Sequence, residues 1–324
     1  MATIEKVEPP PLSHAAALPL TPPPLTLPAI GGNTPEGTLM LDHALPDIES
    51  WVLLFNSNSL PVLRITKRRI DEMRANMDRV DARELARVIL QDPIMTVRVL
   101  AYIQPFRGRS LQHDITTIAS AVMMAGIEPF FRRFEELFTV EDQMKDGGTP
   151  ALLGVLQIIR RAQRAADYAQ EWARWRHDIN MEEVRIAALL HDLAETLIWC
   201  SAPRLGLAVQ ELMKNEPGLR GIDAQNRIIG FPYLDVQREL CRVWHLPELL
   251  QTLIDDNNAD QPRVRNVTLA VRLARHSAHG WDDPALPDDY SEIGQLLNIT
   301  PEAVRQRLGL APMPAREADG EQLA

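Results

Sequence analysis

Cysteine is scarce in this chain. Cys200 and Cys241 are the only two, with no CxxC and no Cys/His spacing, so the ligand set of a structural zinc site is missing. Two cysteines also fit a reducing compartment better than a disulfide framework. Long apolar runs are missing too. No stretch reaches the roughly 18–20 residues of a membrane helix, and the start of the chain lacks a basic-then-apolar signal pattern. The expected location is therefore cytoplasmic, with no membrane partner. Nor is there a surplus of positive charge: 34 Lys and Arg face 44 Asp and Glu, for a net charge of −10. That balance argues against a general nucleic-acid surface while leaving room for a local basic patch. Without a Gly-rich phosphate loop, a nucleotide or cyclic-dinucleotide effector has no support. No Ser/His/Asp or Cys/His arrangement stands out for nucleophilic catalysis. Cys200, beside Trp199 in an apolar helix, reads as packing. His113, His177, His245, His276 and His279 are scattered and read as surface or packing residues.

Proline, by contrast, is abundant at one end. Residues 1–46 carry Pro9, Pro10, Pro11, Pro19, Pro22, Pro23, Pro24, Pro28, Pro35 and Pro46. Each removes an amide donor and restrains φ, so this leader is expected to be disordered or polyproline-like and to act mainly as a tether. From Ile48 the pattern turns helical. Ile65, Ile70, Met73 and Met77 mark an apolar stripe between basic residues. Asp81 with Glu84 three residues on predicts a capping-box start to a helix over 82–90. Asp92 is placed to cap the next helix, with Pro93 at its first position and Val97, Leu100 and Ala101 on its apolar side. Ile115, Ile118, Ala119, Val122 and Met123 predict another helix, ending near Gly126. After a polar connector with Gly147-Gly148, a long helix is expected over 152–175, apolar through Leu156, Ile159, Ala166, Ala169 and Ala173 and arginine-rich on its other face. Asn180 is a candidate cap for the helix that follows.

That helix carries the stretch around which the chemistry turns. Within the apolar run from Ala187 to Trp199 stand His191 and Asp192, side by side. Polar side chains in a buried run need compensation. A divalent metal is one source, since imidazole nitrogen and carboxylate oxygen are both good ligands. A buried hydrogen-bonded or ion-paired couple that fixes helix packing is the other.

Several of these segments together resemble a family. Leu60-Pro61, Leu85-Ala86 with Gln91-Asp92-Pro93, the helix with Val97 and Leu100, then Ile115–Ala121 and Gly126-Ile127 follow the order of the amino-terminal half of an HDOD domain. His191-Asp192 and the Trp244-His245-Leu246-Pro247 step match its second half, so the resemblance runs from about Leu60 to Arg275. It implies an all-α, multi-helix fold: an amino-terminal helical subdomain (47–145) against an HD-like subdomain (146–280) related to HD metal-dependent phosphohydrolases. One departure is that Gln104-Pro105 stands where the family usually has Asn-Ser. A closing helical pair is expected within 281–311 and a disordered tail over 312–324.

The resemblance also implies where metal ligands would stand in catalytic relatives: an early His, the His-Asp dyad and a later Asp. Arg161 falls at the early His, Arg275 at the later Asp, and further ligand histidines fall near Tyr233 and at Asn257-Asn258. Glu195 occupies the place of the catalytic relatives' general-acid lysine. Only His191 and Asp192 remain. Arginine is a permanent cation with no lone pair to give, so it repels a metal and can replace it against a carboxylate. The expectation is that Arg161 or Arg275 neutralises Asp192, leaving the dyad structural, with no metal, no cofactor and no catalysis. The resemblance implies a bacterial signal-transduction or regulatory protein acting on protein partners. The rivals are an HD-type metal-dependent phosphohydrolase or phosphodiesterase, and a DNA-binding regulator using residues 290–308. In the latter, Thr300 caps a helix begun by Pro301, and Arg305 and Arg307 face phosphates or bases. Arg160, Arg161, Arg164, Arg174 and Arg176 could hold an anion, although a solvated face paired with acids is the simpler reading.

Overall fold

A computed structural model describes residues 40–57, 60–104, 115–145 and 147–311. Most of the proline-rich leader, the 312–324 tail, Pro105, Arg107, Arg109 and His113 lie outside the described residues. The described chain is all-α; a single β-bridge joins Val62 and Thr139.

The first half holds α1 (Ile48–Ser57), α2 (Arg64–Arg74), α3 (Ala82–Ile89), α4 (Pro93–Ile103), α5 (Ile118–Ala125), α6 (Ile127–Arg133) and α7 (Val140–Gln143). The expected punctuation is present. Asp81 accepts from the amides of Arg83 and Glu84, and the Glu84 carboxylate closes the box on the Asp81 amide. Asp92 accepts from Ile94 and Met95 at the head of α4 and from the Leu63 amide at 2.7 Å, which ties α4 to the entry of α2. Arg98, buried in α4, donates to the Leu60 carbonyl and lies over the Phe134 ring. Two expectations fail at single residues: Ile65 and Met123 were placed on apolar faces, yet both are exposed. Each sits on a short helix whose opposite side already fills the core, Ile70 in α2 and Ile118, Ala121 and Val122 in α5.

The second half is built on α8 (Gly148–Trp175), a 28-residue helix about 42 Å long at 1.5 Å per residue. Its buried face is a row of alanines, Ala162, Ala165, Ala166, Ala169 and Ala173. Their small side chains let α9 (Met181–Leu190) and α15 (Pro262–His276) pack directly on it. Around these lie α10 (Leu193–Ser201), α11 (Pro203–Asn215), α12 (Gly221–Ile228), α13 (Tyr233–Val243) and α14 (Glu248–Ile254). The helices α6, α7, α11 and α12 have no counterpart in the sequence reading. Asn180 precedes α9 but makes no side-chain cap bond. The closing pair is α16 (Leu286–Leu297) and α17 (Pro301–Arg307), joined through Asn298 in a left-handed conformation. α16 opens at Leu286, which is already buried. Among the described residues, no helix is long and apolar enough to cross a membrane.

Candidate functional site

The dyad sits at a joint. α9 stops at Leu190 and α10 starts at Leu193, so His191 and Asp192 occupy the corner between two buried helices rather than the middle of one. Asp192 takes a bridging backbone conformation as the first residue outside α10, and the Thr196 hydroxyl donates back to its carbonyl. The corner points both side chains toward the channel between α8 and α15, and both are buried.

Four elements converge on them. Arg161, from the middle of α8, donates from Nε at 3.0 Å and Nη2 at 2.8 Å to Oδ2 of Asp192. Its Nη2 also pairs with Glu195, one turn into α10. Arg275, near the end of α15, donates to the other oxygen, Oδ1. That same Oδ1 lies 3.2 Å from His191 Nδ1. The second ring nitrogen, Nε2, lies 3.1 Å from Oδ1 of Asp256, which also accepts from the Thr268 hydroxyl at 2.8 Å. Asp256 belongs to the single turn after α14. Arg275 is partly open to solvent while Asp192 is not, so the network has one wet side.

The electrostatics follow from this geometry. Burial alone would raise the Asp192 carboxyl, but Arg275 and Arg161, with the hydrogen bond to His191, hold it well below the usual carboxylate range. Burial likewise opposes charge on His191; the hydrogen bonds to Asp192 and Asp256 outweigh it and raise its pKa. Both ring nitrogens face carboxylate oxygens, and carboxylates only accept, so both nitrogens donate when His191 is the imidazolium. The count then closes: two guanidiniums and one imidazolium face the carboxylates of Asp192, Glu195 and Asp256. Tyr233 stands against this cluster with its hydroxyl buried and unpartnered; burial, and then Glu195, push its pKa up.

A divalent ion does not fit these residues. A histidine ligand must offer a lone pair, and both nitrogens of His191 are turned on acceptors. Each oxygen of Asp192 is taken by a guanidinium. Among the described residues, no group of three or more His, Cys, Asp or Glu is placed to hold a metal ion.

The sequence-predicted residues His191, Asp192, Arg161 and Arg275 are thus brought together. Asp256 was missed, although its neighbours Asn257-Asn258 had drawn attention, and Glu195 had been noted only for the lysine it replaces. Of the other arginines singled out, Arg160 and Arg174 are exposed, while the rest are committed within the fold. Arg164 donates to Ser277 and lies over Tyr168 and Trp281; Arg176 donates to the Pro262 carbonyl. Arg307 stacks over Trp175 at 4.3 Å and Arg305 over Tyr290 at 5.2 Å, with Arg305 also donating to the Ala311 carbonyl. His276 corrects the reading of the scattered histidines: its Nδ1 pairs with the fully buried Asp289 of α16.

A family model described as HDOD domain matches residues 60–259. No curated protein matches the chain. Among solved structures, the MmoQ response regulator from Methylococcus capsulatus str. Bath superposes with a TM-score of 0.58 at 18% identity, over 78% of this chain and 98% of that one. A virulence factor from Campylobacter jejuni subsp. jejuni superposes with a TM-score of 0.54 at 17% identity, over 82% and 93% of the two chains.

Proposed function

This chain belongs to the HDOD domain family, and we propose that within it the protein is a regulatory member that acts by binding protein partners and carries out no catalysis. The observation that carries this reading is the double occupation of Asp192 by Arg161 and Arg275. In a hydrolase of the HD kind, the dyad's nitrogen and oxygen atoms would hold the metal. Here guanidiniums supply the positive charge, and they bring neither an open coordination position nor a polarisable water. The dyad then works as a packing device that joins α8, α10 and α15 around one buried charge. Sharing its fold with a response regulator supports a role in signalling.

The test is metal content. Protein purified without chelator, beside a His191→Ala sample, is expected to hold far less than one equivalent of any divalent metal in both. Near-stoichiometric iron or manganese in the parent that disappears in His191→Ala would overturn the reading and favour a phosphohydrolase or phosphodiesterase.

A further inference from the structure

A groove of about 920 Å³ runs between α1, α13 and α14, and neither residue of the dyad lines it. Its walls are apolar at Ile48, Val52 and Leu53 of α1, Val243 of α13 and Ile254 of α14. Leu53 is 67% exposed, unusual for a leucine on a helix that packs into the core through Trp51 and Phe55. The rim is polar but spent. Arg238 pairs with Asp235 and Asp255, and Arg242 with Glu239. With Glu49 added, four acids face two arginines, so the groove repels phosphate and offers an acidic peptide no unpaired cation. It does offer a neutral donor. Asn56, which lines the groove, accepts from the Trp244 indole through its oxygen at 3.2 Å, which leaves its amide hydrogens for another acceptor.

An uncharged, apolar chain rich in free carbonyls suits such a surface, and this sequence contains one. Residues 9–35 hold no Asp, Glu, Lys or Arg, and they set Leu18, Leu20, Leu25, Leu27 and Ile30 among prolines. Prolines have no amide hydrogen, so this sequence carries more carbonyl acceptors than amide donors. The tether is short. Ile48 lines the groove and lies eight residues after Met40, hence within about 28 Å of it; the ten residues from Ile30 to Met40 span up to ~35 Å. A connection of that length holds a segment near its site at roughly millimolar effective concentration, enough to occupy a weak site.

We propose that residues 18–30 dock in the groove of the same molecule, covering Leu53 and Val52, so that any protein partner using this face must displace them. The inference stands apart from the chemistry of the dyad.

Disulfide trapping in the full chain tests it. Leu25→Cys is combined with Leu53→Cys in a Cys241→Ala background, because buried Cys241 itself lines the groove, whereas Cys200 is buried and does not. The reference pair is Leu25→Cys with Leu153→Cys, exposed on α8. Leu153 is a demanding reference, since Met40 touches Gly147 and Leu153 lies only about 9 Å further along the helix. Under mild oxidation of dilute protein, the groove pair is expected to form its intramolecular bond at least tenfold faster than the reference pair. Adding Leu20→Asp and Leu27→Asp should bring the groove pair down to the reference rate. Equal rates in the two pairs, or no bond in either, would overturn the proposal. So would disulfide-linked dimers as the main product, which would assign the groove to a second copy.

Discussion

Replacing Arg161 by His and Arg275 by Asp together exchanges both guanidiniums for the ligand types that the resemblance puts at those positions. The double variant would gather Asp192, Glu195, Asp256 and the new carboxylate with no fixed cation among them, which is costly in a buried cluster. Its Tm is expected to fall by more than 5 °C and to recover on addition of manganese, whereas the parent should not respond to the metal. A variant equally indifferent to manganese would show that more than the two arginines keeps the site closed. Arg161→Met alone leaves Asp192 with one guanidinium and is expected to cost about 3 kcal/mol in a denaturant titration. A second residue-scale prediction concerns His276, whose charged form is favoured by the hydrogen bond to Asp289 and by Asp283, and opposed by partial burial and Arg272. A pKa raised in the folded state gives stability that is complete below the unfolded value near 6.5 and is lost as pH rises through the folded value. Tm should therefore decline from about pH 6.5 upward, with a shallower decline in His276→Gln; identical slopes would remove His276 from the account. At this scale the sequence was informative where chemistry is local. Adjacent His and Asp in an apolar run, and arginines at two ligand positions, are visible in the letters. Asp256 was not, because it reaches His191 from a single turn 65 residues away and no periodicity marks it.

Helices were legible through their punctuation, although α7 was missed despite its Thr139 cap. Asp81, Asp92 and Thr300 announce α3, α4 and α17, and all three accept from the amides they precede. The helices α11 and α12 lack side-chain caps, and of the start signals only Pro203 at the head of α11 is present. The joint at the dyad also depends on packing. Trp199, two turns into α10, lies in a slot between Gly154 of α8 and Gly206 of α11; a Cβ at either glycine would stand 2.1 Å or 2.3 Å from indole atoms. The two glycines set how closely α10 approaches its neighbours, and so where His191 and Asp192 point. Gly154→Ala is expected to destabilise the fold by about 3 kcal/mol, the upper part of the usual overpacking range. Trp199→Leu should remove most of that penalty, because its side chain vacates the space the new methyl needs. If the two substitutions simply add in a double-mutant cycle, the slot is not what fixes α10.

The two halves of the molecule meet across charge as well as apolar surface. A single hydrophobic cluster runs from Trp51 in α1 to Val304 in α17, so the core itself gives the halves no line along which to part. The polar seam is narrower. Glu182 and Glu183, in the first turn of α9, reach the start of α5: Glu182 accepts from the Ile118 amide at 3.0 Å, and Glu183 from the Thr116 hydroxyl at 2.6 Å. Glu183 also accepts from Arg263 of α15, which holds Asp178 as well. One pair of acids therefore fastens the first half to both α9 and α15. Burial raises the Glu182 pKa, and this contact survives because backbone amides supply the compensation. Removing both acids, Glu182→Ala with Glu183→Ala, should release α5 locally while α15 keeps its alanine-lined packing against α8. In amide hydrogen exchange, residues 118–125 are expected to exchange at least tenfold faster than in the parent, a loss of about 1.4 kcal/mol of local protection. Residues 264–274 should hold their rates. Uniform acceleration through both helices would mean that the halves open only together, with the shared apolar core and not the glutamates setting the coupling. Unchanged exchange in α5 would mean that Ile118, Ala121 and Val122 hold it unaided.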